Sequence, residues 1–143
     1  MPARFNEHEV KSKLRDKRKL SAFLDQLTAK HIKKLKKSSL NYVFCSDEYL
    51  LQINKEFLNH NTLTDIVTFD MSEKEHELLG EIYISVERVA ENAEKFGVHY
   101  NNELHRVIFH GALHLCGFGD KKPEDKEEMR RQEDKCLNHY FKN

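Results

Sequence analysis

Asp65-Ile66-Val67-Thr68-Phe69 is followed by Glu81-Ile82-Tyr83-Ile84-Ser85, and then by Val86, Val89, Ala90, Ala93 and Phe96 at helical spacing. Both five-residue runs are β-branched or aromatic and read as strands. The polar stretch 70–77 between them reads as a loop, so the two form an antiparallel pair. Ser85 can cap the helix that follows, and Gly97 can end it by taking positive φ. Upstream, Leu40-Asn41-Tyr42-Val43-Phe44-Cys45 is rich in β-formers. It runs into Ser46-Asp47-Glu48, an N-cap with acids in the first turn, so a helix is expected over about 47–57. Leu20, Phe23, Leu24, Leu27 and Leu35 predict a helix over about 17–36, and the alternation of Val10, Ser12 and Leu14 predicts a short strand before it. Downstream, Asn101 or Asn102 can cap a helix whose apolar positions Leu104, Val107, Ile108 and Leu115 share one face before Gly117. A last helix starts near Pro123 and passes Met129 to about Leu137. The order β-α-β-α-β-β-α-α-α predicts one α/β (α+β) domain over residues 1–143, a small mixed four-stranded sheet packed by about five helices.

The 143 residues suit one domain and can bury a core that needs no staples. Cys45, Cys116 and Cys136 form no CxxC pair, the pattern of reduced thiols rather than a disulfide scaffold. No apolar stretch approaches the length of a membrane span, and the start, Met1-Pro2-Ala3-Arg4-Phe5, is no signal segment. The expectation is a soluble cytoplasmic protein with no organic cofactor. The formal net charge of zero conceals an asymmetry. Residues 11–37 carry eleven Lys/Arg against Asp16 and Asp25, whereas residues 70–104 carry nine Asp/Glu against Lys74, Arg88 and Lys95. The basic segment, with Lys33, Lys34, Lys36 and Lys37, is either a footprint for a phosphate backbone or a solvated helix face.

The chemistry concentrates in His110-Gly111-Ala112-Leu113-His114-Leu115-Cys116-Gly117-Phe118-Gly119-Asp120. At 100° per residue, His110 and His114 stand about 40° apart on one helix face, the spacing at which two imidazoles can share a metal ion. Gly117 and Gly119 allow the chain to fold back and bring Asp120 in as a third ligand. Two histidines and a carboxylate leave a zinc ion one position for water, the mark of a catalytic rather than a structural site. Cys116 points about 120° from His110 and reads as a small buried apolar residue. His105 also faces elsewhere, and His8, His31, His76, His99 and His139 read as surface or loop residues.

The run from Glu103-Leu104-His105-Arg106 through His110–Gly117 resembles the signature of the YbeY family of bacterial metal-dependent endoribonucleases, the rRNA maturation factors. Thr64-Asp65-Ile66-Val67-Thr68-Phe69 and Gly80-Glu81-Ile82-Tyr83-Ile84-Ser85 are similar to the family's strands, in the same order, so the resemblance covers about residues 40–137. It implies an α/β fold with one zinc ion per chain and cleavage of single-stranded RNA. It also implies a role in maturing the 3′ end of small-subunit rRNA and in ribosome quality control, with the ribosome as partner.

Two positions depart from the family pattern. Asp120 stands where relatives usually have a third histidine, and its oxygen shifts the preference towards harder ions such as manganese or iron(II). Leu58 stands where the family tends to carry a phosphate-contacting arginine, so that role is either missing here or passes to a basic residue elsewhere, such as Lys55. The catalytic candidates are His114, as a metal ligand, and Asp65. Asp65 either orients or deprotonates the nucleophile or merely caps a loop. His60 and Asn61 read as solvated, with RNA contact as the alternative. A zinc protease would carry Glu directly after the first histidine, where this chain has Gly111. The remaining rival is a zinc-stabilised ribosome-associated RNA-binding factor without catalytic activity.

Overall fold

The computed structural model describes residues 3–59 and 64–142, so His60 and Asn61 lie outside the described residues. Among the described residues, four strands form one sheet: β1 (Ala3–Glu7), β2 (Lys37–Cys45), β3 (Ile66–Asp70) and β4 (Glu77–Ser85). Five helices accompany them: α1 (Lys17–His31), α2 (Asp47–Leu58), α3 (Val86–Phe96), α4 (Tyr100–Leu115) and α5 (Pro123–Phe141). The strand order is β1-β2-β4-β3, with β1, β2 and β4 parallel and β3 antiparallel to β4 at the edge. The mixed four-stranded sheet, the five helices and the antiparallel pair agree with the sequence reading.

The period-2 alternation of the strands divides the interior. Leu40, Tyr42 and Phe44 of β2, with Leu78, Ile82 and Ile84 of β4, face the main core shared with α1, α3, α4 and α5. Cys45 and Val67 face the opposite side, where Leu50 and Ile53 of α2 cover them. The fully buried Tyr42 ties the central strand to α4 by donating its hydroxyl to the carbonyl of Ile108 at 2.8 Å.

Several expected boundaries shift, each for a local reason. The strand expected at Val10–Leu14 lies instead at Ala3–Glu7. Glu9, Lys13 and Asp16 adopt left-handed φ of 57°, 63° and 55°, which breaks any extended run. The Ser12 amide and hydroxyl both donate to the Glu7 carboxylate, at 2.7 and 2.8 Å. Helix α1 ends at His31 rather than near 36, because Ile32 is extended and Lys34 turns to φ 60°. Lys33, Lys34 and Lys36 therefore sit in a turn leading to Lys37, all four exposed, and not on a helix face. Neither Asn101 nor Asn102 caps α4, since His99 is the N-cap and Glu103 N–H donates to its carbonyl at 3.1 Å. The Ser46 and Ser85 caps form as expected, each hydroxyl accepting an N–H three residues on at 3.1 Å.

Candidate functional site

Helix α4 buries Leu104, Val107, Ile108 and Leu113, and Gly111 lets it lie directly on the sheet. A Cβ on Gly111 would stand 3.0 Å from both Ile66 Cδ1 and Ile82 Cγ2. That close approach fixes the helix rotation and turns the flank bearing His110 towards Asp65, just before β3. It also explains why the residue after His110 cannot serve as a protease-like general base, for a carboxylate there would press into isoleucines.

The His110 ring is held from both sides. Its Nδ1 lies 2.7 Å from Glu133 Oε2 of α5, and its Nε2 lies 3.4 Å from Asp120 Oδ2. The other oxygen of the buried Glu133 accepts from Arg106 Nη1 at 3.0 Å, while Arg106 Nη2 donates to Asp134 at 2.8 Å. Arg106 thus holds Glu133, which in turn holds His110. Burial alone would lower the His110 pKa, but the hydrogen bond and charge of Glu133, joined by Asp120 and Asp65, outweigh it and raise the value. Burial raises the Asp65 carboxyl, against the lowering pull of His110. Glu103, buried nearby, is likewise raised by burial against the pull of Arg106.

These groups share a cavity of about 330 Å³. Its cations are Arg106, Lys126 and Arg130, from α4 and α5, whereas Lys55 stands exposed in the last turn of α2. His31 packs edge-on against Phe118 at 5.1 Å, so the basic turn 33–37 begins beside the loop that carries Asp120. His114, one turn beyond His110, is exposed, and its ring has no hydrogen bond or ion pair to any described residue. His105 is buried and points away, its Nδ1 2.8 Å from the Asn101 carbonyl and its ring stacked on Tyr140 at 5.3 Å. Burial pushes the Cys116 thiol up to about 12, unfit for a thiolate ligand at neutral pH.

The chain offers a partial match to a metal site. Among the described residues, no three His, Cys, Asp or Glu side chains close around one point. Yet His110 Nε2 and Asp120 Oδ2 stand 3.4 Å apart, about the edge of a tetrahedron with zinc–ligand bonds of roughly 2.0–2.2 Å. The carboxylate on Nδ1 is the outer partner that metal-binding histidines ordinarily have.

Glu133 and Arg106 line the site and hold His110, yet the sequence reading gives neither a role. A signal was present, since Met129, Glu133, Cys136, Leu137 and Tyr140 form the buried stripe of α5 with a carboxylate at its centre. A charge inside an apolar stripe demands a partner.

The model of the family described as Endoribonuclease YbeY matches residues 4–141. The chain belongs to the YbeY family. An Endoribonuclease YbeY from Cytophaga hutchinsonii is 44% identical over 93% of this chain and 92% of its own length. The protein of that name from Flavobacterium johnsoniae is 50% identical over 81% of this chain and 84% of its own. The solution structure of TM1509 from Thermotoga maritima superposes with a TM-score of 0.67 at 26% identity, covering 97% of this chain and 89% of that one. Membership extends the resemblance read at about 40–137 to both ends, so β1, α1 and the whole of α5 belong to the YbeY fold. Among the described residues, no helix is long and apolar enough to cross a membrane.

Proposed function

We propose that this chain is a metal-dependent endoribonuclease that cuts single-stranded RNA at the His110 cavity. The observation that carries the reading is His110 itself, held on one nitrogen by the Arg106-supported Glu133 and facing Asp120 with the other. Family membership supports it, because the relatives bear the name endoribonuclease. In this reading His110, His114 and Asp120 would hold one zinc ion. When bound, the ion supplies Lewis acidity to a phosphoryl oxygen and to water.

The chain's own residues do the rest. Glu133 accepts the Nδ1 proton of His110 and so fixes the tautomer that leaves Nε2 towards Asp120. Asp65, whose carboxyl burial raises, would orient the attacking water and take its proton, which then passes to the leaving oxygen as its bond to phosphorus breaks. Lys33, Lys34, Lys36 and Lys37 hold the phosphate backbone from the exposed turn next to the Asp120 loop, and Lys55 adds charge from α2. The substrate is ribosomal RNA at the 3′ end of the small subunit, the ribosome is the partner, and the setting is cytoplasmic.

The test is cleavage of a single-stranded oligoribonucleotide by purified protein with and without chelator. Cleavage lost on chelation and regained with zinc is expected, and cleavage indifferent to chelation would overturn the metal-dependent reading. Within the same site, Glu133→Gln keeps an acceptor for His110 but removes the charge. Metal affinity should fall about 10- to 100-fold, as read by competition with a chromogenic chelator. Unchanged affinity would remove Glu133 from the site.

A further inference from the structure

Phe96 ends α3 at the spacing of its apolar face, yet its side chain is 54% exposed, unlike Val86, Val89 and Ala93 before it. The ring meets no other described ring at close range and stands at the rim of the cavity whose wall is His110 and Asp120. Beside it, Gly97 ends α3 with φ 69°, and a Cβ there would meet nothing within 4 Å, so the backbone at this helix end faces open space.

Across the cavity stand Lys126 and Arg130, one turn apart on α5 and both exposed. The carboxylates around them engage only Arg130, through one long ion pair. Arg106 already satisfies Glu133 at 3.0 Å, whereas Arg130 reaches it only at 3.7 Å. Lys126 makes no ion pair to a described residue. Half-buried Asn92, also at the rim, brings an amide that can both donate and accept.

We propose that this cavity is a subsite for one unpaired nucleotide of the RNA strand, its base stacked on Phe96 and its phosphate held by Lys126 and Arg130. The proposal rests on the RNA-cleaving reading above and specifies how the strand lies. At about 330 Å³ the cavity is at the small end of ligand clefts and suits one nucleotide rather than a base pair. A base inside a duplex offers no free face to a ring, and its pairing edge is already used, so Phe96 and Asn92 together select single-stranded RNA. The basic turn 33–37 begins beside the loop that carries Asp120, so a strand held in the cavity can run on to it past Asp120.

The experiment titrates purified protein into a fluorescein-labelled 2′-O-methyl oligoadenylate of five nucleotides, followed by anisotropy, with steady-state cleavage of the unmodified oligomer alongside. Stacking of one base predicts that Phe96→Ala weakens binding about 5- to 100-fold. In cleavage the loss should appear in KM with kcat little changed, and Phe96→Tyr should restore both. Lys126→Gln with Arg130→Gln should flatten the salt dependence by about 0.7 in logarithmic slope for each phosphate that is no longer neutralised. Unchanged binding in Phe96→Ala, or Phe96→Leu binding as well as wild type, would overturn the stacking role. An unchanged slope in the double variant would overturn the phosphate role. A wild-type protein that binds the oligomer but does not cut RNA would fail the catalytic reading and leave the subsite to be judged on anisotropy alone.

Discussion

Replacing His110 with alanine is expected to lower kcat/KM on single-stranded RNA by on the order of 10³-fold or more, with the purified variant retaining less than one zinc per chain. The size follows from what a bound ion contributes, several kcal/mol of transition-state stabilisation at about 1.36 kcal/mol per decade. The variant also leaves Glu133 without the imidazole it accepts from, although Arg106 still covers one of its oxygens at 3.0 Å. Asp120 discriminates between ligand and mere neighbour. Asp120→His should keep metal and activity, since the imidazole is the longer reach, whereas Asp120→Ala should lose both. Elemental analysis beside the kinetics checks the pair. Full metal occupancy in His110→Ala, or in Asp120→Ala, would strike that residue from the ligand set.

The largest effect on stability is expected from Phe109→Ala, next to His110 in the chain but on the opposite flank of α4. Phe109 is fully buried, with ring centroids 5.1 Å from Phe23 of α1 and 5.7 Å from Tyr140 of α5. Truncating such a ring costs about 3–5 kcal/mol, a large share of the roughly 5–15 kcal/mol that holds a domain. The midpoint of thermal unfolding should fall by on the order of 10–20 °C, as read by circular dichroism. A fall below about 3 °C would mean that the three helices are joined elsewhere. Phe96→Ala serves as the contrast, because an exposed ring away from the core should change stability by no more than about 0.5 kcal/mol.

What the sequence disclosed and what it withheld divide along the same physical line. Helical and alternating periodicity report which side of an element is apolar, and they located β2, the β3–β4 pair, α3 and α4 to within a few residues. Serine caps are local devices, so Ser46 and Ser85 could be read directly. Periodicity does not report how far the neighbouring elements extend. Phe96 shares the stripe of α3 but lies at its end, and what its spacing promised to the core is exposed. The Val10–Leu14 alternation was likewise real but overridden by backbone turns at Glu9 and Lys13 that no apolar count reveals. In the site, His110 and Asp120 could be found because their spacing is short and glycines intervene. Glu133 is twenty-three positions from His110 and on another helix, so only its place in a buried stripe marked it.

The order in which the site's residues occur has a consequence for synthesis. Asp65, His110 and Asp120 are all translated before Glu133, which comes from α5, the last helix in the chain, packed on α4. A growing chain therefore holds a histidine that nothing yet orients, and a cavity with no α5 wall. Until α5 has docked, RNA that reaches the chain meets a cavity without Glu133, Lys126 or Arg130.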